Sequence, residues 1–151
     1  MKRTWLIIAI SAVLVVLDEV LKVIALEKLP AEGSFVIPNI FQLGIHKNFG
    51  IAFDTPVDGN IIIGLSVGLI LFFCWVFLQA YRKRAWYTGA SALIIIGALG
   101  NLYDRFVYGY VIDYLIFFGR SAINLSDLVI IAGVVWFLIA RFQPRKKTQN
   151  S

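Results

Sequence analysis

The chain has 151 residues, 60% of them hydrophobic and 15% charged, with a mean hydropathy of +0.82; this is more apolar surface than a soluble domain of that size can bury, so an integral membrane protein is expected and a large soluble domain excluded. Of the fourteen basic residues behind the net charge of +5, nine fall in three groups that contain no acid: Lys2 and Arg3; Arg82, Lys83 and Arg84; Arg141, Arg145, Lys146 and Lys147. One-signed clusters beside apolar runs follow the positive-inside rule, which puts all three groups and both termini in the cytoplasm and needs no nucleic-acid partner.

In chain order, the first apolar run predicts a span over about 5–26. Its start, Lys2-Arg3 followed by Trp5 to Leu17 and then Val23-Ile24-Ala25, also imitates a secretory signal. Asp18 and Lys22 stand four apart on one helical face, a pairing useful only in a retained helix, and this favours the span. Residues 27–60 form an outer loop rich in Pro and Gly, in which Ser34 to Ile37 and Ile40 to Ile45 predict a small hairpin or sheet. A second span over about 61–81 carries no charge, and its Gly64 and Gly68 have the spacing that lets two membrane helices approach closely. The third span, about 85–106, is dense in small residues and is expected to be the most tightly packed. An aromatic-rich outer connection over 107–123 precedes a fourth span over about 124–142 and a basic tail. Trp5, Trp86, Tyr87, Tyr108 and Tyr110 sit near span ends, where aromatics are favoured. The expected fold is an all-α membrane protein, a single domain over 1–151 with four transmembrane helices and a small extracytoplasmic β-rich loop region.

Ionisable groups inside a membrane span cost at least about 2.5 kcal/mol each, so each asks for a partner or a function. Here they gather at one depth. Asp18 lies about 20 Å along the first helix from Trp5, in the outer half of the bilayer, and Lys22 is then near enough to the outer surface to snorkel. Asn101, Asp104 and Arg105 share one face near the outer end of the third span. Asp113 lies in the outer connection, and Asn124 and Asp127 open the fourth span. A polar pocket at the outer boundary is the simplest account of this arrangement.

Single Cys and His residues exclude internal disulfides and multi-His metal sites. A Ser–His nucleophile would need His46, far in sequence from Ser126, and no GxSxG elbow is present. Cys74, in mid-span, is a packing residue. Two aspartates brought together can share a proton, one ionised to activate water and one protonated to polarise a carbonyl; such hydrolysis needs no metal or cofactor. Structural readings stand beside this one: Asp18 with Lys22 as an ion pair, Asp104 with Arg105 as an interfacial pair, and Asp127 as a helix cap. The alternative of another class is a small multi-span transporter or proton-relay protein using the same carboxylates. It would need polar groups continuing inward, where the spans offer only residues such as Ser11, Ser91 and Gln79.

With their neighbours, these clusters resemble the lipoprotein signal peptidase, or signal peptidase II, family along nearly the whole chain. Asp18-Glu19-Val20-Leu21-Lys22 is similar to its first motif, Asn48-Phe49-Gly50-Ile51-Ala52-Phe53 to its NxGxAF motif, and Gly97 to Arg105 to its GALGNLxDR motif. Val111-Ile112-Asp113-Tyr114 and Asn124-Leu125-Ser126-Asp127 resemble the segments that carry the catalytic aspartates. Departures are Glu19 for the usual Gln, Leu21 for a small hydroxyl residue, Ile96 for a Gly, and Ile123 and Ser126 for the usual Phe and Ala around Asn124.

The resemblance implies a four-helix aspartyl endopeptidase of the bacterial cytoplasmic membrane, active at its outer face. It would cut the signal peptide from prolipoproteins just before a diacylglyceryl-modified cysteine, without metal or cofactor, as a monomer in contact with membrane lipid. Asp113 and Asp127 would be catalytic. Asn48, Gly50, Asn101, Arg105 and Asn124 would line the substrate site, with Asp18, Lys22 and Asp104 supporting it and the Ser34 to Phe53 stretch cradling the substrate from outside.

Overall fold

A computed structural model describes residues 2–29, 34–37, 40–50, 58–83 and 85–142. Ile51, Ala52 and Phe53 of the second motif lie outside the described residues, as do Arg84, Arg145, Lys146 and Lys147 of the basic clusters. In chain order the elements are α1 (Lys2–Lys28), β1 (Ser34–Ile37), β2 (Phe41–Asn48), α2 (Gly59–Arg82), α3 (Thr88–Tyr108), β3 (Val111–Phe117), β4 (Ser121–Ile123) and α4 (Leu125–Phe142).

The molecule is mostly helical, and α2, α3 and α4 are each long and apolar enough to cross a membrane. The outward faces of all four helices keep large apolar side chains in the open, such as Val13 on α1, Leu71 on α2, Phe106 on α3 and Phe142 on α4. In water such surfaces would drive association, whereas against lipid tails they are matched. Asp58 starts α2 by accepting from the Asn60 N–H at 2.8 Å. Gly109, at φ 81°, ends α3 by donating its N–H to the Arg105 carbonyl at 3.1 Å. This left-handed cap turns the chain out of the helix and into β3.

α3 is the central helix, packed against α1, α2 and α4, and the most buried of the three candidate spans. Lacking a hydrophobic drive between helices in lipid, it gains its packing by close approach at small residues. A Cβ on Gly97 would lie 2.7 Å from the Ser126 carbonyl oxygen, and one on Gly133 would lie 2.7 Å from Ile94 Cγ1. Gly64 and Gly68, expected from their spacing to mediate such an approach, face open space instead. Spacing alone does not say which face of a helix meets a neighbour.

At one end of the helices sits a four-stranded antiparallel sheet in the order β1-β2-β3-β4. The hairpin expected in the first outer loop corresponds to β1 and β2. The aromatic-rich connection after α3 supplies the other two strands. Its Val111–Phe117 run is β-branched and aromatic, and Phe41 packs against Phe117 across the sheet with ring centroids 5.2 Å apart. Positive φ at Phe118 and Gly119 closes the β3–β4 hairpin. The sheet register sets His46 opposite Asp113 and Asn48 opposite Val111, so the segment between α1 and α2 meets the segment between α3 and α4 where the aspartates lie.

Candidate active site

Asn124 immediately precedes α4 and Asp127 lies in its first turn. The two cap each other: the Asp127 N–H donates to Asn124 Oδ1 at 2.9 Å, and the Asn124 N–H donates to Asp127 Oδ2 at 3.3 Å. This is a capping box with aspartate in the acidic position, so the sequence that starts the helix also fixes a carboxylate at its end. The same Asn124, wholly buried, donates its amide to Asp113 Oδ1 at 2.8 Å and to Asn101 Oδ1 at 3.1 Å. Asn101, on α3, in turn donates to Asp127 Oδ1 at 2.7 Å. One asparagine therefore holds both aspartates, and a second closes the ring.

The other oxygen of Asp113 accepts from Asn48 Nδ2 on β2 at 3.1 Å. Asn48 Oδ1 accepts the Gly50 N–H at 3.0 Å, a local turn that presents the Gly50 carbonyl to Arg105 Nη2 at 3.3 Å. Arg105 also donates through Nη1 to the Asn101 carbonyl. Burial, and after it the negative charge of Asp127, push the Asp113 carboxyl up from its ordinary 3.8 to about 7, against the opposing hydrogen bonds from Asn48 and Asn124. Close to neutrality Asp113 is thus partly protonated beside a second carboxyl group. A cavity of about 480 Å³ opens at this point, with Asp127, Asn48, Asn101 and Arg105 on its polar wall and Ile130 and Ile131 of α4 on its apolar wall.

Behind the aspartates lies a second buried polar cluster. Asp18 Oδ1 accepts from Tyr114 Oη at 2.8 Å and from the Leu125 N–H at 2.9 Å; Oδ2 accepts from Ser126 Oγ at 2.6 Å and pairs with Lys22 at 2.9 Å. Lys22 also meets Asp104 at 2.8 Å and Glu19 at 3.0 Å, and Asp104 accepts the Ile112 N–H at 3.1 Å. Lys22 was expected to snorkel; instead it is fully buried, because three carboxylates hold it more strongly than the interface attracts it. Asp104 faces this lysine, and the alternative reading of it as an interfacial pair with Arg105 does not hold.

The residues this cluster grips are the chain neighbours of the two aspartates: Ile112 and Tyr114 on either side of Asp113, and Leu125 and Ser126 just before Asp127. Tyr114 reaches the cluster because side chains alternate along a strand, so the residue after Asp113 points away from the cavity and towards α1. Burial and the facing Asp18 carboxylate push its phenol up, so it stays a donor. Sequence reasoning missed Tyr114, Ser126 and Glu19 here. It also missed His46, Arg120 and Ser121, which line the cavity. Their only sequence signal is adjacency, either to an aspartate or to a partner strand that the sequence did not identify. The Ser126 hydroxyl is committed to Asp18, which removes it as a nucleophile.

A family model described as signal peptidase (SPase) II matches residues 10–143. The chain belongs to the signal peptidase II family. Among its curated relatives, a lipoprotein signal peptidase from Pseudomonas paraeruginosa (strain DSM 24068 / PA7) is 33% identical over 91% of this chain and 88% of its own. Another from Halothermothrix orenii (strain H 168 / OCM 544 / DSM 9562) is 30% identical over 89% and 93%. The fold is similar to a bacterial membrane enzyme solved by the in meso method at 2.3 Å resolution, with a TM-score of 0.83, 23% identity, and coverage of 100% of this chain and 95% of that one. As a signal peptidase II the chain is an aspartic peptidase of the membrane, which disfavours the transporter reading of its carboxylates.

Proposed function

We propose that Asp113 and Asp127 are the catalytic pair of this signal peptidase II, which removes signal peptides from prolipoproteins. The observation that carries the assignment is Asn124, which bonds both carboxylates at once. The pair holds one proton near neutral pH. Its ionised member takes a proton from a water in the cavity, and its protonated member gives one to the scissile carbonyl oxygen as the water attacks. Collapse of the tetrahedral intermediate then expels the amine of the mature protein, which takes the proton that came from the water, while the intermediate's hydroxyl returns a proton to the other aspartate and restores the pair. Asn48, Gly50, Asn101, Arg105 and Asn124 bind and orient the substrate backbone and the aspartates. Asp18, Lys22 and Asp104 support the segments on which the aspartates sit.

Charge and geometry support a finer placement. α1, with 27 residues, is the fourth crossing beside α2, α3 and α4. The basic ends of the helices face the cytoplasm and the sheet faces outward, so both termini are cytoplasmic and the site lies at the outer surface of the bacterial cytoplasmic membrane. A diacylglyceryl-modified cysteine holds the scissile bond at that depth, and a monomer suffices because one chain supplies both aspartates.

The test is signal-peptide release from a diacylglyceryl-modified prolipoprotein by wild type, Asp113→Asn and Asp127→Asn at matched folding. Release by wild type and by neither variant is the expected result. Cleavage surviving in both variants would refute the catalytic assignment.

A further inference from the structure

The opposite end of the molecule holds a second cavity, of about 540 Å³, between α2 and α4. Its α2 wall is a single helical stripe, Phe72, Trp75 and Val76, then Gln79, then Lys83 at the end of the helix. On α4 the matching pair is Phe137 followed one turn later by Arg141. Phe137 is fixed by ring contacts with Phe73 at 5.8 Å and Tyr87 at 5.7 Å, so the aromatic floor is braced from two elements.

Both walls therefore run from aromatic to cationic in the same direction, and the α2 wall passes through the amide of Gln79 between the two. From Phe72 to Lys83 this gradient covers about 16 Å at 1.5 Å per residue. The positive-inside rule explains why cations lie at this end of the helices. It does not explain why two of them rim one aromatic cavity. Among the described residues neither Lys83 nor Arg141 has an acidic partner: the described acids all lie in the half of the molecule nearer the sheet, and every ion pair there is made by Lys22. The basic start of a signal peptide would be repelled here. An anion attached to a hydrocarbon chain complements both the charge and the gradient.

We propose that this cavity seats one anionic phospholipid, its phosphate between Lys83 and Arg141, its glycerol region at Gln79 and an acyl chain along Phe72, Trp75, Val76 and Phe137. Only the leaflet, cytoplasmic, rests on the orientation proposed above. The site is separate from the aspartates, so its failure would leave the peptidase assignment untouched, and cleavage by the same preparation reports on that assignment independently.

The test is native mass spectrometry of the full chain in mild detergent, offered phosphatidylglycerol and phosphatidylcholine with the same acyl chains in equal amounts. Wild type is expected to retain one phosphatidylglycerol with a preference of about fivefold or more, since a cation near a phosphate contributes about 1 kcal/mol. Lys83→Gln/Arg141→Gln should abolish the preference, whereas Lys2→Gln/Arg3→Gln, which removes as much charge from the same end, should keep it. Trp75→Ala should weaken retention with both cations present. Equal retention of the two lipids by wild type, or equal loss of preference in both double variants, would overturn the proposal. So would undiminished retention in Trp75→Ala together with displacement of the lipid by inorganic phosphate, which would make the site one for a free anion. Should the Lys83/Arg141 variant not fold, the wild-type preference and the Trp75→Ala result still decide.

Discussion

Asp113→Asn should destroy activity and, at alkaline pH, strengthen the fold. Asp113 is 1% exposed, and its proton affinity rises from 3.8 in the unfolded chain to about 7 in the folded one. A group raised in this way contributes stability that is complete below the unfolded value and is lost as pH rises through the folded value. At about 1.36 kcal/mol per pH unit the whole loss is about 4 kcal/mol, and more than half of it falls between pH 5 and pH 8. Asparagine cannot ionise and escapes that loss. It brings a constant cost of about 1–3 kcal/mol instead, because both Asp113 oxygens accept from amide groups and its own NH2 must face one of those donors. The constant cost drops out when two pH values are compared. Thermal unfolding in detergent, followed by tryptophan fluorescence, should show the variant gaining about 5–10 °C on wild type between pH 5 and pH 8, at about 2–4 °C per kcal/mol for a chain of this length. A gap between the two proteins that is independent of pH would refute the reasoning.

Three further outcomes are expected. Asp18→Ala leaves Tyr114, Ser126, the Leu125 N–H and Lys22 without their shared acceptor and should cost about 3–5 kcal/mol in denaturant unfolding, against about 1 kcal/mol each for Tyr114→Phe and Ser126→Ala. Gly97→Ala places a methyl group against backbone at the Ser126 carbonyl, so α4 must shift and carry Asp127 with it; cleavage should fall at least about tenfold with the protein still folded, and full activity would contradict the contact. Arg105→Lys keeps the charge but loses the fork that joins the Asn101 and Gly50 carbonyls, and steady-state kinetics should show a drop of about tenfold in kcat/KM.

The helices were legible because apolar runs of about 20 residues leave few alternatives, and the described ends fall within about three residues of those expected. The second pair of strands was not. Val111–Phe117 is short, buried at its start and interrupted by Asp113, so its period-2 pattern is masked by a buried carboxyl group. At the site, Asp113, Asp127, Asn101, Asn124 and Arg105 were readable as polar residues at one depth and Asn48 only through its family motif, and they do come together. Tyr114 and Ser126 were not, since nothing in an aromatic or a serine beside an aspartate says which way its hydroxyl points. That direction is set by strand alternation and by where α1 lies, both of which are tertiary facts.

The cluster around Asp18 also has a history during synthesis. α1 is made first, with Asp18, Glu19 and Lys22 already in place, but Asp104 follows Lys22 by 82 residues and Ser126 follows it by 104. At about 5–20 residues per second, the first helix waits roughly 5–20 s for the groups that complete its network. During that interval Lys22 has only its own helix to pair with, and the carboxylates beside it outnumber it. The last helix to emerge thus completes the first, and a chain truncated before Ser126 should leave α1 poorly held and exposed to membrane quality control. The buried charges behind the aspartates therefore gain the last of their partners only once the start of the fourth helix has been made.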